Sequence, residues 1–268
     1  MRRPLAALAL TFFLALFAAQ PSATQQTPTT TVARDSQAIA VITKALNAAG
    51  GVSALAAIQD YTGSGTIVYN WANSPVQGSV TVKGRGLGQF RLDATLPDGV
   101  HSWVANNGIA SQKQADGSIV PMAYQFALKQ ASFTFPWLQV EAAMQDTSWS
   151  ISYIGLVNHG GQQAYDIRFQ KIFPQSSDPS GFQSSVTKAD FFIDPNTFSI
   201  LGVQDRAYPK YGEAGNSPHE MEFSNYQVVS GILVPFNMTD LIAGQQTVTI
   251  QLSQFTFNSG LTDADFSL

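Results

Sequence analysis

The stretch from Gly78 to Gly108, GSVTVKGRGLGQFRLDATLPDGVHSWVANNG, decides the fold. It reads as strand-like runs at about residues 77 to 84, 88 to 96 and 100 to 106. Pro97-Asp98-Gly99 lies between the last two and Asn107-Gly108 follows. Phe90 and Leu92 fall two apart, the spacing that places side chains on one face of a strand. Connections this short join antiparallel neighbours through hairpins.

The pattern extends in both directions. Upstream, a strand is expected at about 61 to 70, with a turn at Asn73-Ser74-Pro75. Before it, Asp35-Ser36 can cap a helix in which Ile39, Ile42, Ala45, Leu46 and Ala49 recur at helical spacing until Gly50-Gly51 ends it. Ser53 to Ile58 makes a second short helical piece. Downstream, a strand at 109 to 114 is followed by an interruption at 120 to 146. There Met122, Tyr124, Phe126, Leu128, Phe133, Phe135, Trp137, Leu138, Val140 and Met144 supply apolar bulk, and Pro136 stands at a helix start. Two short helices are expected, joined across Phe133 to Pro136. Alternation resumes at Trp149 to Val157 and Gln162 to Phe173 and continues to about residue 257. Pro174 to Ser185 and Pro209 to Pro218 read as loops, and Leu261 to Leu268 as a polar tail.

About ten or eleven strands exceed what a flat open sheet carries, so a curled antiparallel sheet or incomplete β-barrel is expected, mainly β within the α+β class. An N-terminal helix and a mid-chain helical lid at about 120 to 146 would cover its concave face. No fixed-period repeat argues for a propeller or solenoid.

The start of the chain bears on destination. Met1-Arg2-Arg3 leads into an Ala/Leu/Phe run from Leu5 to Ala19 that ends among small residues near Ala23. That is the plan of a secretory signal peptide at 1 to 23, and the run is shorter than the ~20 residues a membrane span needs. Residues 24 to 33 read as a flexible leader and 34 to 268 as one domain.

Composition narrows the chemistry. The 268 residues include no cysteine, which removes thiol nucleophiles, thiolate metal sites and a cysteine-anchored lipid. With 14 Lys and Arg against 18 Asp and Glu, there is no basic footprint for nucleic acid. Gly-x-Ser-x-Gly is absent, and none of His101, His159 and His219 sits beside a nucleophile signature. His219-Glu220-Met221-Glu222 is the best local metal candidate, yet neighbouring residues of a strand face opposite ways. No metal or other cofactor is therefore expected. Asp93, Asp98, Asp166, Asp190 and Asp194 could pair as in a glycosidase, but their spacing selects no pair. Asp98 and Asp194 stand in turns, where the side chain caps its own backbone.

Several stretches together resemble the lipoprotein-carrier superfamily, which includes the periplasmic outer-membrane lipoprotein-sorting carrier. They are ALNAAGGVSALAAIQDYTGSGTI from Ala45, the opening stretch above, DFFIDPNTFSILGVQDRAYPKYG from Asp190, EMEFSNYQVVSGILVPFNM from Glu220, and VTIQLSQFTFNSGLTDADFSL from Val248. The resemblance spans about residues 37 to 268. It implies an incomplete barrel with a helical lid, no catalysis, and a lipid, acyl chain or lipid-modified polypeptide as cargo. It implies a periplasmic location, a membrane-associated donor or acceptor, and action as a monomer. A family arginine that bonds to the lid implies a latch among Lys83, Arg85 and Arg91, with Arg85 the first candidate.

On that reading Met122, Phe126, Trp137, Leu138 and Met144 face a cavity from the lid. Phe90, Leu92, Ile151, Tyr153, Ile167 and Phe169 face it from the sheet. Methionine and aromatic walls suit flexible acyl chains. Two other readings stay open: an interaction domain whose hollow is filled by its own side chains, and a carboxylate-dependent hydrolase marked by two acids with raised pKa in one cleft.

Overall fold

The computed structural model describes residues 32–70, 74–129, 131–207 and 217–268. The expected signal segment, the leader up to residue 31 and most of the Pro209 to Pro218 loop lie outside the described residues. Among those described, no helix is long and apolar enough to cross a membrane.

Helix α1 (Ser36–Ala48) starts where the Asp35 carboxylate accepts from the backbone N–H of Gln37 at 2.7 Å, satisfying an otherwise unpaired first-turn donor. Ala38, Val41, Ile42, Ala45 and Leu46 form its buried stripe. Gly50 and Gly51 end it with φ of 125° and 93°. A Cβ at Gly50 would lie 2.6 Å from the carbonyl oxygen of Gly231, so the helix end approaches a distant turn at a distance only glycine allows. Helix α2 (Val52–Ala56) follows.

A first meander comprises β1 (Asp60–Tyr69), β2 (Val76–Arg85), β3 (Gln89–Leu96), β4 (Gly99–Asn106), β5 (Ile109–Lys113) and β6 (Ile119–Pro121). The interruption then holds three short helices rather than two: α3 (Tyr124–Ala127), α4 (Ala131–Thr134) and α5 (Trp137–Gln145). After it come β7 (Trp149–His159), β8 (Gln162–Lys171), α6 (Phe182–Val186), β9 (Ala189–Ile193) and β10 (Ile200–Ala207). The last strands are β11 (Ser217–Val229), β12 (Ile232–Ile242) and β13 (Gln245–Phe257), and a 3₁₀ turn at Asp263–Phe266 closes the chain. Helix α6 overlaps the end of the stretch expected to be loop. It is fixed by the buried Asp178 carboxylate, which accepts from the backbone N–H groups of Gln183 and Ser184 and from the Ser184 hydroxyl.

The thirteen described strands form one antiparallel sheet in the order β6-β5-β4-β3-β2-β1-β13-β12-β11-β10-β9-β8-β7. The fold is mainly β, and the sheet is curled but not closed, an incomplete barrel with β6 at one end and β7 at the other. The strand count exceeds the ten or eleven expected. Three-residue β6 is too short to show a period, yet Ser111, Gln112 and Lys113 of β5 pair with it.

This order dictates the path of the helices. Strands β6 and β7 are consecutive in the chain and lie at opposite ends of the sheet, so residues 122 to 148 must traverse its whole width. They do so on the face that carries the apolar side chains. Phe135 and Trp137 are fully buried there. Phe135 sits among the rings of Tyr61, Phe255 and Phe257 at centroid distances of 5.7, 5.8 and 5.3 Å. The Tyr61 hydroxyl meets the Thr134 hydroxyl at 2.5 Å, tying α4 to β1. Gly84 makes room for that tyrosine, since a Cβ there would stand 2.3 Å from its ring.

Candidate functional site

The concave face is filled on one side and hollow on the other. Toward β7, β8 and β9, helices α1 and α5 cover the sheet, and Ile151, Ile167, Phe169 and Phe191 are completely buried beneath them. Toward β1, β3, β4 and β11 to β13, the crossover leaves a pocket of about 460 Å³. That volume falls within the roughly 300–1,000 Å³ of small-molecule sites. Ile67, Tyr69, Phe90, Leu92, Trp103, Met221, Val248 and Ile250 line it from the sheet. Phe126 and Phe133 line it from the crossover. Alternate positions of each strand supply these residues, which is why one face of the sheet is both apolar and aromatic.

Helix α3 is the thinnest part of the wall. It is a single turn, its N-terminal residue Ala123 offers no side-chain cap, and so short a helix persists only through its contacts. Ala123, Gln125 and Phe126 face the pocket, while Tyr124 and Ala127 border a second hollow of about 390 Å³ on the other side.

One side of the pocket is polar. Lys129, just after α3, forms an ion pair with Asp205 of β10 and donates to the Arg206 carbonyl at 2.5 Å. Asp205 also accepts from Nδ1 of His219 at 2.5 Å, and Nε2 of His219 donates to Asp240 at 3.1 Å. Thr247 donates to the same Asp240 carboxylate. Burial alone would pull the His219 imidazolium toward neutrality. Hydrogen bonds and charge from Asp205 and Asp240 outweigh it, and the pKa stands raised at about 9. His219 is therefore a cation at neutral pH, with the Phe133 ring edge-on at 5.1 Å. The cluster ties the crossover to β10, β11 and β12.

Of the residues selected from the sequence, Phe90, Leu92 and Phe126 line the pocket. Met122 packs beside them against Phe90, Ala105, Ala110 and Ala127. Trp137, Leu138, Ile151, Ile167 and Phe169 lie in the main core, with Met144 and Tyr153 packed against it. The six strand residues all lie on the concave face. The helices above them decide whether that face is hollow.

Arg85, the first candidate for a lid latch, faces away from the lid. Val80, Val82 and Gly84 are the buried positions of β2, so Lys83 and Arg85 project from the opposite, convex face. There Arg85 pairs with Asp263, donates to the Leu261 carbonyl at 3.0 Å and lies over the Phe266 ring. Lys83 holds Asp265 at 2.8 Å and Arg91 holds the Ser267 carbonyl at 2.8 Å. The Lys83 hydrogen bond, with a backbone one from Thr262, lowers the Asp265 pKa to about 2. All three latch candidates thus clamp the C-terminal tail, and the lysine bonded from the crossover to the sheet is Lys129.

The remaining candidates lie outside the pocket. His101 pairs with Asp98 at 3.0 Å in its own hairpin. His159 stacks on Phe192 at 3.9 Å with Glu220 3.1 Å away. Asp166 is raised to about 6 by burial and by Asp190, and burial with Glu220 raises Glu222. These two acids occupy the convex face, as their strand neighbours Ile167, Met221 and Phe223 point inward. No group of three or more His, Asp or Glu among the described residues is placed to hold a metal.

Sequence reasoning missed Trp103, Gln125, Lys129, Asp205 and Asp240. A signal for the last two exists: Asp205 follows Val203 by two positions and Asp240 follows Met238 by two, so each puts a carboxylate on the buried phase of its strand. A charge in that phase needs a partner.

The fold recurs among solved structures. An outer membrane lipoprotein-sorting protein domain from Vibrio parahaemolyticus superposes with a TM-score of 0.53 at 10% identity, over 85% of this chain and 95% of that one. The chain has a LolA-like fold. A LolA superfamily protein from Nitrosomonas europaea gives 0.53 at 10% identity, over 85% and 96% of the two chains. A DUF1329 family protein from Desulfovibrio piger gives 0.50 at 13%, over 84% and 97%. No protein-family model matches the sequence, and no curated protein matches it. The LolA-like fold is thus shared at identities where side chains in the pocket are free to differ.

Proposed function

We propose that the protein is a non-enzymatic periplasmic binding protein that buries an acyl chain, carried by a lipid or a lipid-modified polypeptide, in the pocket beneath α3. The observation that carries this reading is the mainly apolar hollow of about 460 Å³ left between an open sheet and a one-turn helix. Each methylene moved from water into such a site contributes about 0.8 kcal/mol, so a chain of modest length supplies the driving force without a fixed polar contact. The LolA-like fold, shared with a lipoprotein-sorting domain, and the signal-like start of the chain support the location and class. A membrane-associated donor or acceptor fits the same reading.

Entry proceeds by displacement of α3. The rest of the crossover is held by Phe135 and Trp137 in the core, whereas α3 separates two hollows and is one turn long. Native mass spectrometry of protein purified from periplasm, followed by lipid extraction, tests the proposal. A co-purified acyl ligand is expected, and its loss in a folded Phe126→Asp variant. A folded variant that retains the ligand would remove the pocket as its site.

A further inference from the structure

Gln125 is 94% buried, being 6% exposed, and lies in the wall of the pocket. Its side-chain Nε2 has no hydrogen-bond partner among the described residues. A buried amide donor without an acceptor costs free energy, and native proteins leave few of them. The one-turn helix α3 brings this donor and Phe126 into one pocket lining with Phe90 and Leu92 of β3 and Trp103 of β4. An apolar chain filling the pocket would cover the amide and leave it dry and unpaired. A chain that carries an oxygen acceptor near one end would satisfy it.

We infer that Gln125 is a ligand-positioning residue that donates its amide N–H to the carbonyl oxygen of an acyl ester or amide whose chain lies along Phe90, Leu92 and Trp103. This rests on the reading of the pocket as an acyl-chain site and adds to it a chemical class: carbonyl-bearing acyl groups are selected over plain hydrocarbon. The polar cluster at Lys129, Asp205, His219 and Asp240 is already internally bonded, whereas Gln125, among the described residues that line the pocket, keeps a buried side-chain donor without a partner.

The test uses the full chain and two probes of matched carbon number, methyl laurate and tridecane, each displacing bound cis-parinaric acid. Gln125→Met keeps the side-chain length and removes the donor. It should weaken methyl laurate about fivefold to tenfold and leave tridecane unchanged or slightly tighter. Gln125→Glu, which replaces the donor with an acceptor, should show the same selective loss, and tridecane binding reports that each variant is folded. Equal affinities of wild type and both variants for methyl laurate would overturn the carbonyl contact while leaving the acyl pocket in place. Equal weakening of both probes would reduce Gln125 to a wall residue and overturn it as well. If wild type binds neither probe nor parinaric acid, the acyl reading itself falls.

Discussion

Raising the pH from 6 to 9.5 should destabilise this fold through His219, and the size of the effect follows from its surroundings. The ring is buried, with 6% exposure, and faces Asp205 and Asp240, with Lys129 and Thr247 bonded to those carboxylates and the Phe133 ring at its edge. Tyr69 beside Asp240 is pushed upward by burial and by that carboxylate, so it stays neutral across this range. The histidine pKa is about 9 in the folded chain, against 6.5 when it is unperturbed. A raised folded value means that the native state holds the proton more tightly. The stabilisation is complete below pH 6.5 and is lost as the pH climbs through 9. At about 1.4 kcal/mol for each unit of difference, the full loss is about 3 kcal/mol.

Urea unfolding at pH 6, 7.5 and 9.5, with wild type compared with His219→Gln, isolates this contribution. Groups away from the cluster titrate equally in both chains, so the difference between their stabilities should shrink by about 3 kcal/mol from the lowest pH to the highest. The variant should be less stable at pH 6 because Asp240 loses its cation, and nearly level with wild type at pH 9.5. Parallel pH profiles for the two proteins would refute the charged histidine and with it the described cluster.

Two further outcomes follow from the convex face. Asp166 has a raised pKa, so ionising it costs stability above about pH 6 and the cost vanishes as pH falls toward its unfolded value; Asp166→Asn should raise the urea midpoint at pH 7.5 and leave it nearly unchanged at pH 4. Phe266 is 1% exposed under the tail clamp, and Phe266→Ala should cost about 3 kcal/mol in unfolding while acyl-probe affinity stays as in wild type, because the tail lies on the face opposite the pocket.

Local chemistry carried much of the fold into the sequence. The Asp35 cap, the Gly50-Gly51 stop and the Asn107-Gly108 turn, with φ of 47° and 93°, depend on residues a few positions apart, and each is found where its spacing places it. The pairing of β1 with β13 depends on residues far apart in the chain, Tyr61 opposite Phe257, 196 positions on, and no local pattern announces it. The tail shows the same limit in polar form. Asp263 and Asp265 belong to the stretch expected as a polar tail, yet Arg85 and Lys83 reach them from β2. Within the crossover, Phe126 and Trp137 are both aromatic residues in an apolar run, and nothing near either one separates wall from core.

What separates them is the reach of the helices along the sheet. Helix α1 has 13 residues, about 20 Å at 1.5 Å per residue, and its Ala49 carbonyl accepts from Leu233 of β12, while Asp35 at its other end donates to Ile151 of β7. It therefore spans the strands from β7 to β12, and α5 fills the space beside it. On the remaining strands the crossover contributes only the short helices α3 and α4, of four residues each, about 6 Å apiece. Two such segments cannot cover the inner faces of β1, β3, β4 and β13, which carry Ile67, Phe90, Trp103 and Val248. The hollow is the difference between the width of a thirteen-stranded sheet and the length of helix available to cover it, and it opens beside the least self-supporting turn of the chain.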